Sequence, residues 1–230
     1  MGRPETKRVS RMSGSAQAKT LAERAYAILE EMIVTLVLAP GCSVSESELA
    51  KKLNIGRTPI REALQRLAMD KLVTIHPSRG VFVSEINVKT QLLLLETRRA
   101  LECLIARSAS RRATPEERAT LRDIADGMDK AARVDDDVGF MRHDRMLNEL
   151  IAAATHNEFT EAAMSRLHSL SRRFWFAYHK RVADLPLTAQ LHATLARAIA
   201  SGNAEDAQRS VERLLDYVEE STRASLSLET

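Results

Sequence analysis

The sequence predicts a mainly α chain in two parts: three short helices and a hairpin at the N-terminal end, then a six-helix antiparallel bundle. Three observations carry this. Apolar residues recur at helical spacing almost everywhere outside residues 72–84. Within 72–84 the period shortens, and the runs Leu72-Val73-Thr74-Ile75 and Val81-Phe82-Val83 flank the turn-forming cluster His76-Pro77-Ser78-Arg79-Gly80. From Asn87 onward only helical patterns follow, separated by caps, prolines and glycines.

Residues 1–19 are rich in Ser, Gly, Lys and Arg and are read as a disordered basic arm. A first helix begins near Thr20, with Leu21, Tyr26, Ile28, Leu29, Met32, Ile33 and Leu36 on its apolar stripe, and stops at Ala39-Pro40-Gly41. Ser45 and Glu48 have capping-box spacing, so a short helix opens there, with Leu49, Ala50 and Leu53 inward, and closes at Asn54-Ile55-Gly56. Thr58-Pro59 reads as an N-cap followed by a first-turn proline, starting a third helix with Ile60, Leu64, Leu67 and Ala68 inward. Two helices joined by a tight turn and followed by a hairpin make a winged helix-turn-helix over residues 20–85. The bundle, residues 88–223, is read as helices 88–112, 115–132, 136–154, 158–182, 187–201 and 204–223. Thr114-Pro115-Glu116-Glu117, Asn157, Pro186 and Gly202-Asn203 punctuate it.

Composition narrows the function classes. The chain of 230 residues is 44% hydrophobic and only 4% aromatic, which argues against stacking platforms for single-stranded nucleic acid. Residues 1–85 carry 13 Lys and Arg against 9 Asp and Glu, whereas residues 86–230 carry 21 against 22. A basic front and a neutral back suit a polyanion-binding module joined to something else. Cys42 and Cys103 form no CxxC pair and read as reduced thiols. Neither a signal peptide nor an apolar stretch near the ~20 residues of a membrane span is visible, so no membrane partner and a cytoplasmic location are expected.

The third helix carries the sharpest chemistry. Arg57 and Thr58 stand at its N-terminus, Arg61 one turn on and Gln65 one turn further, opposite the apolar face. Guanidinium and amide groups in that arrangement suit base edges in a major groove, and the helix N-terminus suits a phosphate. Lys51, Lys52 and Arg66 add positive charge for backbone contacts, and Arg79 sits at the hairpin tip. The DNA-facing set is Ser45, Ser47, Arg57, Thr58, Pro59, Arg61, Gln65, Arg79 and Gly80.

These residues carry a resemblance. Leu38-Ala-Pro-Gly41, Glu48-Leu-Ala, Leu53-Asn-Ile-Gly-Arg-Thr-Pro-Ile-Arg-Glu-Ala-Leu64 and Arg79-Gly-Val-Phe-Val83 resemble the GntR family of bacterial transcription regulators over about residues 20–85. The resemblance implies that Arg57, Thr58 and Arg61 contact operator DNA with the wing close by, and that the chain is a homodimer on a palindromic double-stranded DNA operator. Gly56 departs from the usual Ser. Residues 90–222 resemble the helical ligand-binding (FCD-type) domain of the FadR-like branch, through Arg98-Arg-Ala-Leu-Glu102, Asp144, Ile151, Asn157, His192, Ala198-Ile199 and Gly202-Asn-Ala-Glu-Asp-Ala207. Six helices rather than seven point to the VanR-like subgroup.

In many such domains an Asp and a His four residues apart, with two later His, hold a divalent metal. Here the matching positions are Asp144, Asn148, His192 and Leu214, so two of the four depart. Asp144, Asn148 and His192 are candidates for an incomplete divalent-metal site, or for polar cavity residues that meet effector or water. Arg98, on a helix otherwise facing a core, needs an anion: a small organic acid effector, or a structural acid such as Asp144. The effector-binding set is therefore Arg98, Asp144, Asn148 and His192. Phe174, Trp175 and Phe176 read first as packing, with Trp175 able to line a pocket. The expected function is sequence-specific DNA binding modulated by an effector in the bundle; the alternative is metal-dependent enzyme activity in the helical domain.

Overall fold

The computed structural model describes residues 20–182 and 184–225. The predicted basic arm, 1–19, lies outside the described residues. The N-terminal unit runs α1 (Leu21–Val34), β1 (Ser43–Val44), α2 (Glu46–Leu53), α3 (Arg57–Met69), β2 (Val73–His76) and β3 (Gly80–Val83). Thr20 and Glu23 cap α1 reciprocally. Leu29, Ile33, Ile60, Leu64, Leu67 and Leu72 are almost fully buried in one small core, each contributing about 1.5–3 kcal/mol.

Several local expectations are corrected. Leu21 is exposed, and Leu36 lies beyond α1 in a left-handed turn with φ 62°. Ser45 does cap α2 by accepting from the Glu48 amide, but no return bond from the Glu48 side chain forms, so the capping box is half made. The third helix starts before Thr58: Gly56 is the N-cap, Arg57 the first helical residue and Pro59 the third. All three still belong to the first turn, where proline's missing N–H costs nothing. The hairpin is joined by β1, giving an antiparallel three-stranded sheet of order β1-β3-β2 with Ser43 opposite Phe82 and Val73 opposite Val83. A two-residue strand has too little period to be seen in a sequence; only its partner β3 defines it.

The bundle consists of α4 (Val88–Arg112), α5 (Pro115–Arg133), α6 (Asp137–Ala153), α7 (Glu158–Val182), α8 (Leu185–Ser201) and α9 (Ala204–Ala224). Each start has a physical cause. Thr114 and Glu117 form a complete capping box with Pro115 behind it, Asn203 caps α9, and Asp184 caps α8 with Pro186 in its first turn. Gly202 ends α8 at φ 84°, a left-handed stop that favours glycine. Helix α5 packs on α6 and α8, and α4 on α9, around Ile105, Leu121, Met128, Phe140, Leu147 and Met164.

Helix α7 ties the two cores together. Leu170 packs against the N-terminal core, and Arg166 stands 3.2 Å from Asp70, which also accepts a hydrogen bond from the Tyr26 hydroxyl at 2.8 Å. The Arg173 guanidinium donates to the Ser84 carbonyl. The winged unit therefore rests on the bundle mainly through one long helix, whose middle also faces the bundle interior, with Arg145 of α6 adding a contact to Glu31.

Candidate nucleic-acid interface and ligand cavity

The exposed face of α3 is built by its own amphipathicity. Burying Ile60, Ala63, Leu64 and Leu67 turns Arg57, Thr58, Arg61 and Gln65 to solvent, with Pro59 half-buried between them. Among the described residues no side chain caps the helix at Gly56, so the first-turn amides keep their hydrogen-bonding capacity at its positive end. Arg61 is held by Glu46 of α2: its Nε donates to both carboxylate oxygens at 3.1 Å and its Nη2 to one at 2.8 Å. That hydrogen bond comes first among the causes that keep the Glu46 carboxyl below its ordinary value. Ser45 and Ser47 face each other at 2.9 Å between their hydroxyl oxygens, at the start of α2. Arg79 and Gly80 are exposed at the β2–β3 turn, where Ser78 (φ 63°) and Gly80 (φ 95°) both adopt left-handed backbone. Ser45 and Ser47 thus flank Glu46, the residue that holds Arg61, and Arg79 and Gly80 stand on the separate wing.

The second site is a cavity between α4, α6, α7, α8 and α9. It holds about 750 Å³ of space free of protein atoms when the part open to solvent is counted. Arg98, Asp144, Asn148 and His192, expected together from sequence, all line it. Asp144 accepts from Asn148 Nδ2 at 3.0 Å and stands 3.2 Å from His192 Nε2, while His192 Nδ1 donates to the Thr188 carbonyl at 2.8 Å. Arg98 is inward and Arg99 is not: Arg99 pairs with Asp216 and Glu219 of α9. The structural acid against Arg98 is Glu102, not Asp144, with Nε 2.6 Å from the Glu102 carboxylate and Nη1 donating to Ser171 Oγ at 2.8 Å. An i, i+4 acid on the same helix face reaches the guanidinium without crossing the cavity.

Comparison with known proteins agrees with both halves. Residues 21–83 match the model of the bacterial regulatory proteins, gntR family, and residues 93–217 match the FCD domain, more than half of the chain. The chain belongs to the GntR family. The HTH-type transcriptional repressor RspR of Escherichia coli (strain K12) is 38% identical over 88 residues, 38% of this chain and 39% of that protein. The chain's match thus spans well under half of that relative's length. A HTH-type transcriptional regulator from an unstable DNA locus of Streptomyces ambofaciens is 32% identical over 183 residues, 77% of this chain and 75% of that one. Among solved structures, E. coli McbR/YncC superposes with a TM-score of 0.80 at 18% identity, covering 90% of this chain and 99% of that one, a likeness of fold.

Within this GntR-family chain the cavity's charges are arranged by burial and by partners. Burial opposes the charged forms of Asp144 and His192, but their mutual hydrogen bond and attraction prevail, so Asp144 is held below its ordinary pKa and His192 above it. Both nitrogens of His192 face oxygen acceptors, which is the geometry of an imidazolium. His168, on α7, goes the other way: burial pushes it down to about 4, and its Nε2 is buried with no hydrogen-bond partner among the described residues.

The donor set does not fit a tightly held metal ion. Asp144 is engaged by Asn148 and His192, the fourth family position is Leu214 in the apolar core, and among the described residues no three His, Cys, Asp or Glu side chains gather to hold an ion. Trp175 lines the cavity, and Phe174, which stacks on Tyr178 at 4.6 Å between ring centroids, does too. His168, Ser171 and Arg172 of α7 and Tyr217 of α9 also line it and were not among the sequence candidates. Their helical spacing on α7 was visible, but which face of that helix meets the bundle interior was not. His143 is half-buried against Gly127, its Nδ1 bonding the Gly139 carbonyl.

Proposed function

We propose that the chain is a transcription regulator that binds a specific DNA operator through α3 and the wing, and changes its affinity when a small organic acid occupies the bundle cavity. One observation carries the first half: a family-matched helix-turn-helix presents Arg57, Thr58, Arg61 and Gln65 on one solvent face. Arginine and glutamine there have the donors that major-groove base edges accept, and the uncapped N-terminus of α3 favours a phosphate. A homodimer would place two such helices on a palindrome, each half reading one half-site, in the cytoplasm where the DNA is.

The second half rests on the cavity. The Arg98 guanidinium, the His192 ring and the aromatic walls Phe140, Phe174 and Trp175 offer hydrogen-bond donors within a largely apolar enclosure, suited to a carboxylate on an apolar body. No metal is required in this reading. Catalysis in the helical domain is not adopted, because membership of a family of regulatory proteins argues for binding.

The test is a duplex carrying the DNA upstream of the chain's own gene, titrated with the protein at fixed salt, with and without a panel of small organic acids. Retention of tight binding over random-sequence duplex, altered by at least one acid, is expected. Equal affinity for both duplexes would defeat the proposal.

A further inference from the structure

Arg172 belongs to two sites at once. It sits on α7, is nine-tenths buried, and lines the ligand cavity beside Asp144 and His168. Its other end leaves the bundle: Nη1 lies 3.6 Å from Glu30 and Nη2 3.2 Å from Glu31, both on α1 of the DNA-binding unit. Arg145 of α6 adds a second contact to Glu31 at 3.1 Å. Glu30 is itself buried, an unusual place for a carboxylate without a cation beside it. The third donor nitrogen of Arg172, Nε, is buried and has no hydrogen-bond partner among the described residues. Buried donors are nearly always satisfied, so an orphan one on a cavity-lining side chain points to an acceptor brought by a ligand.

Taking the cavity as the ligand site of the preceding section, we propose that Arg172 is a ligand-binding residue and also the latch that joins ligand to DNA-binding unit. A guanidinium has two faces, the Nη1/Nη2 end and the Nε/Nη2 side. Glu30 and Glu31 occupy the end. A ligand carboxylate entering the cavity takes the side, through Nε. Arg172 then faces three negative groups in a poorly screened environment, one of which, Glu31, has Arg145 as a second cation, and the ligand and the α1 carboxylates weaken each other's hold on Arg172. The ligand loosens α1 from α7, and the winged helix is released from its fixed seat on the bundle. Coupling of this kind is reciprocal: what the ligand does to the latch, the latch does to ligand affinity.

That reciprocity gives the test. Benzoate, a carboxylate on an apolar ring, is titrated into the full chain, with quenching of Trp175, the one tryptophan, as the readout. Glu31→Gln, at a half-exposed site that leaves Glu30 in place, and the double variant E30Q/E31Q are compared with wild type, folding being checked by circular dichroism. Kd for benzoate is expected to fall about five-fold or more in the double variant and by less in the single one. In the wild type, benzoate is also expected to speed hydrogen exchange in α1. If benzoate binds and neither variant changes its Kd, the latch is refuted and the cavity stands. Absence of any quenching at millimolar benzoate in wild type and variants would refute the carboxylate reading of the cavity, and the latch with it.

Discussion

Arg61 and Glu46 grip each other across the helix-turn-helix, with Arg61 Nη2 2.8 Å from a Glu46 oxygen and the guanidinium side chain still 60% exposed. The pair holds the guanidinium at the face of α3 and, in the proposed interface, places a carboxylate where a phosphate or base edge would compete for it. In Arg61→Ala, operator affinity is expected to fall about ten-fold or more, the scale of one lost bidentate base contact. Glu46→Gln is expected to tighten binding to any duplex modestly, by removing a negative charge from the interface. Fluorescence anisotropy at one salt concentration measures both. An unchanged Arg61→Ala affinity would remove α3 from the interface.

Gly80 begins β3 at φ 95°, with open space where a Cβ would stand. The obstacle to a side chain is therefore backbone conformation, not crowding. Gly80→Ala is expected to destabilise the chain by about 1–2 kcal/mol and to weaken DNA binding through a displaced Arg79. Urea denaturation measures the first effect. A stability equal to wild type would show that the wing turn relaxes freely.

Arg98 and Glu102 form a buried pair 2.6 Å apart, with side chains only 11% and 5% exposed. Removing one partner strands the other. Arg98→Met is expected to cost about 3–5 kcal/mol, and R98M/E102L to regain most of it while still failing to bind an acidic ligand. Equal instability of single and double variants would mean that the pair is not the source of the cost.

His192 and His168 predict opposite pH behaviour in one cavity. The pKa of His192 is raised, against its burial, by Asp144, so its stabilising contribution is full below about 6.5 and is lost as pH rises through the raised value. His192→Gln is therefore expected to cost more at pH 6 than in alkaline buffer. Asp144 is lowered, so its share is present above 3.8 and disappears as acid protonates it. His168 has its pKa pushed from 6.5 to about 4 by burial, so the unfolded chain takes up a proton that the folded chain refuses. Folding then weakens as pH falls from 6.5 towards 4, by up to about 3 kcal/mol from this group. His168→Gln is expected to melt with a flatter acid limb than wild type. Parallel melting curves for the two would place the acid sensitivity elsewhere.

Local chemistry alone determined most of this molecule's architecture. Thr114-Pro115 and Gly202-Asn203 delimit helices because capping and left-handed backbone act within a few residues, and the period change at 72–84 marks the hairpin for the same reason. Arg57, Thr58, Arg61 and Gln65 were legible as one face because α3's own apolar residues define the opposite one. Strand β1 was not legible, since its two residues are a strand only through β3. Tertiary packing also decided that Arg98 meets Glu102 rather than Asp144, that His192 is held above its ordinary pKa while His168 is pushed below it, and that Arg172 spans the cavity and α1. Those outcomes depend on which faces of α4, α7 and α8 come together, and on the depth at which each charge is buried. No helical period specifies either, because a charged side chain's partner and its desolvation belong to the packed bundle and not to its own helix.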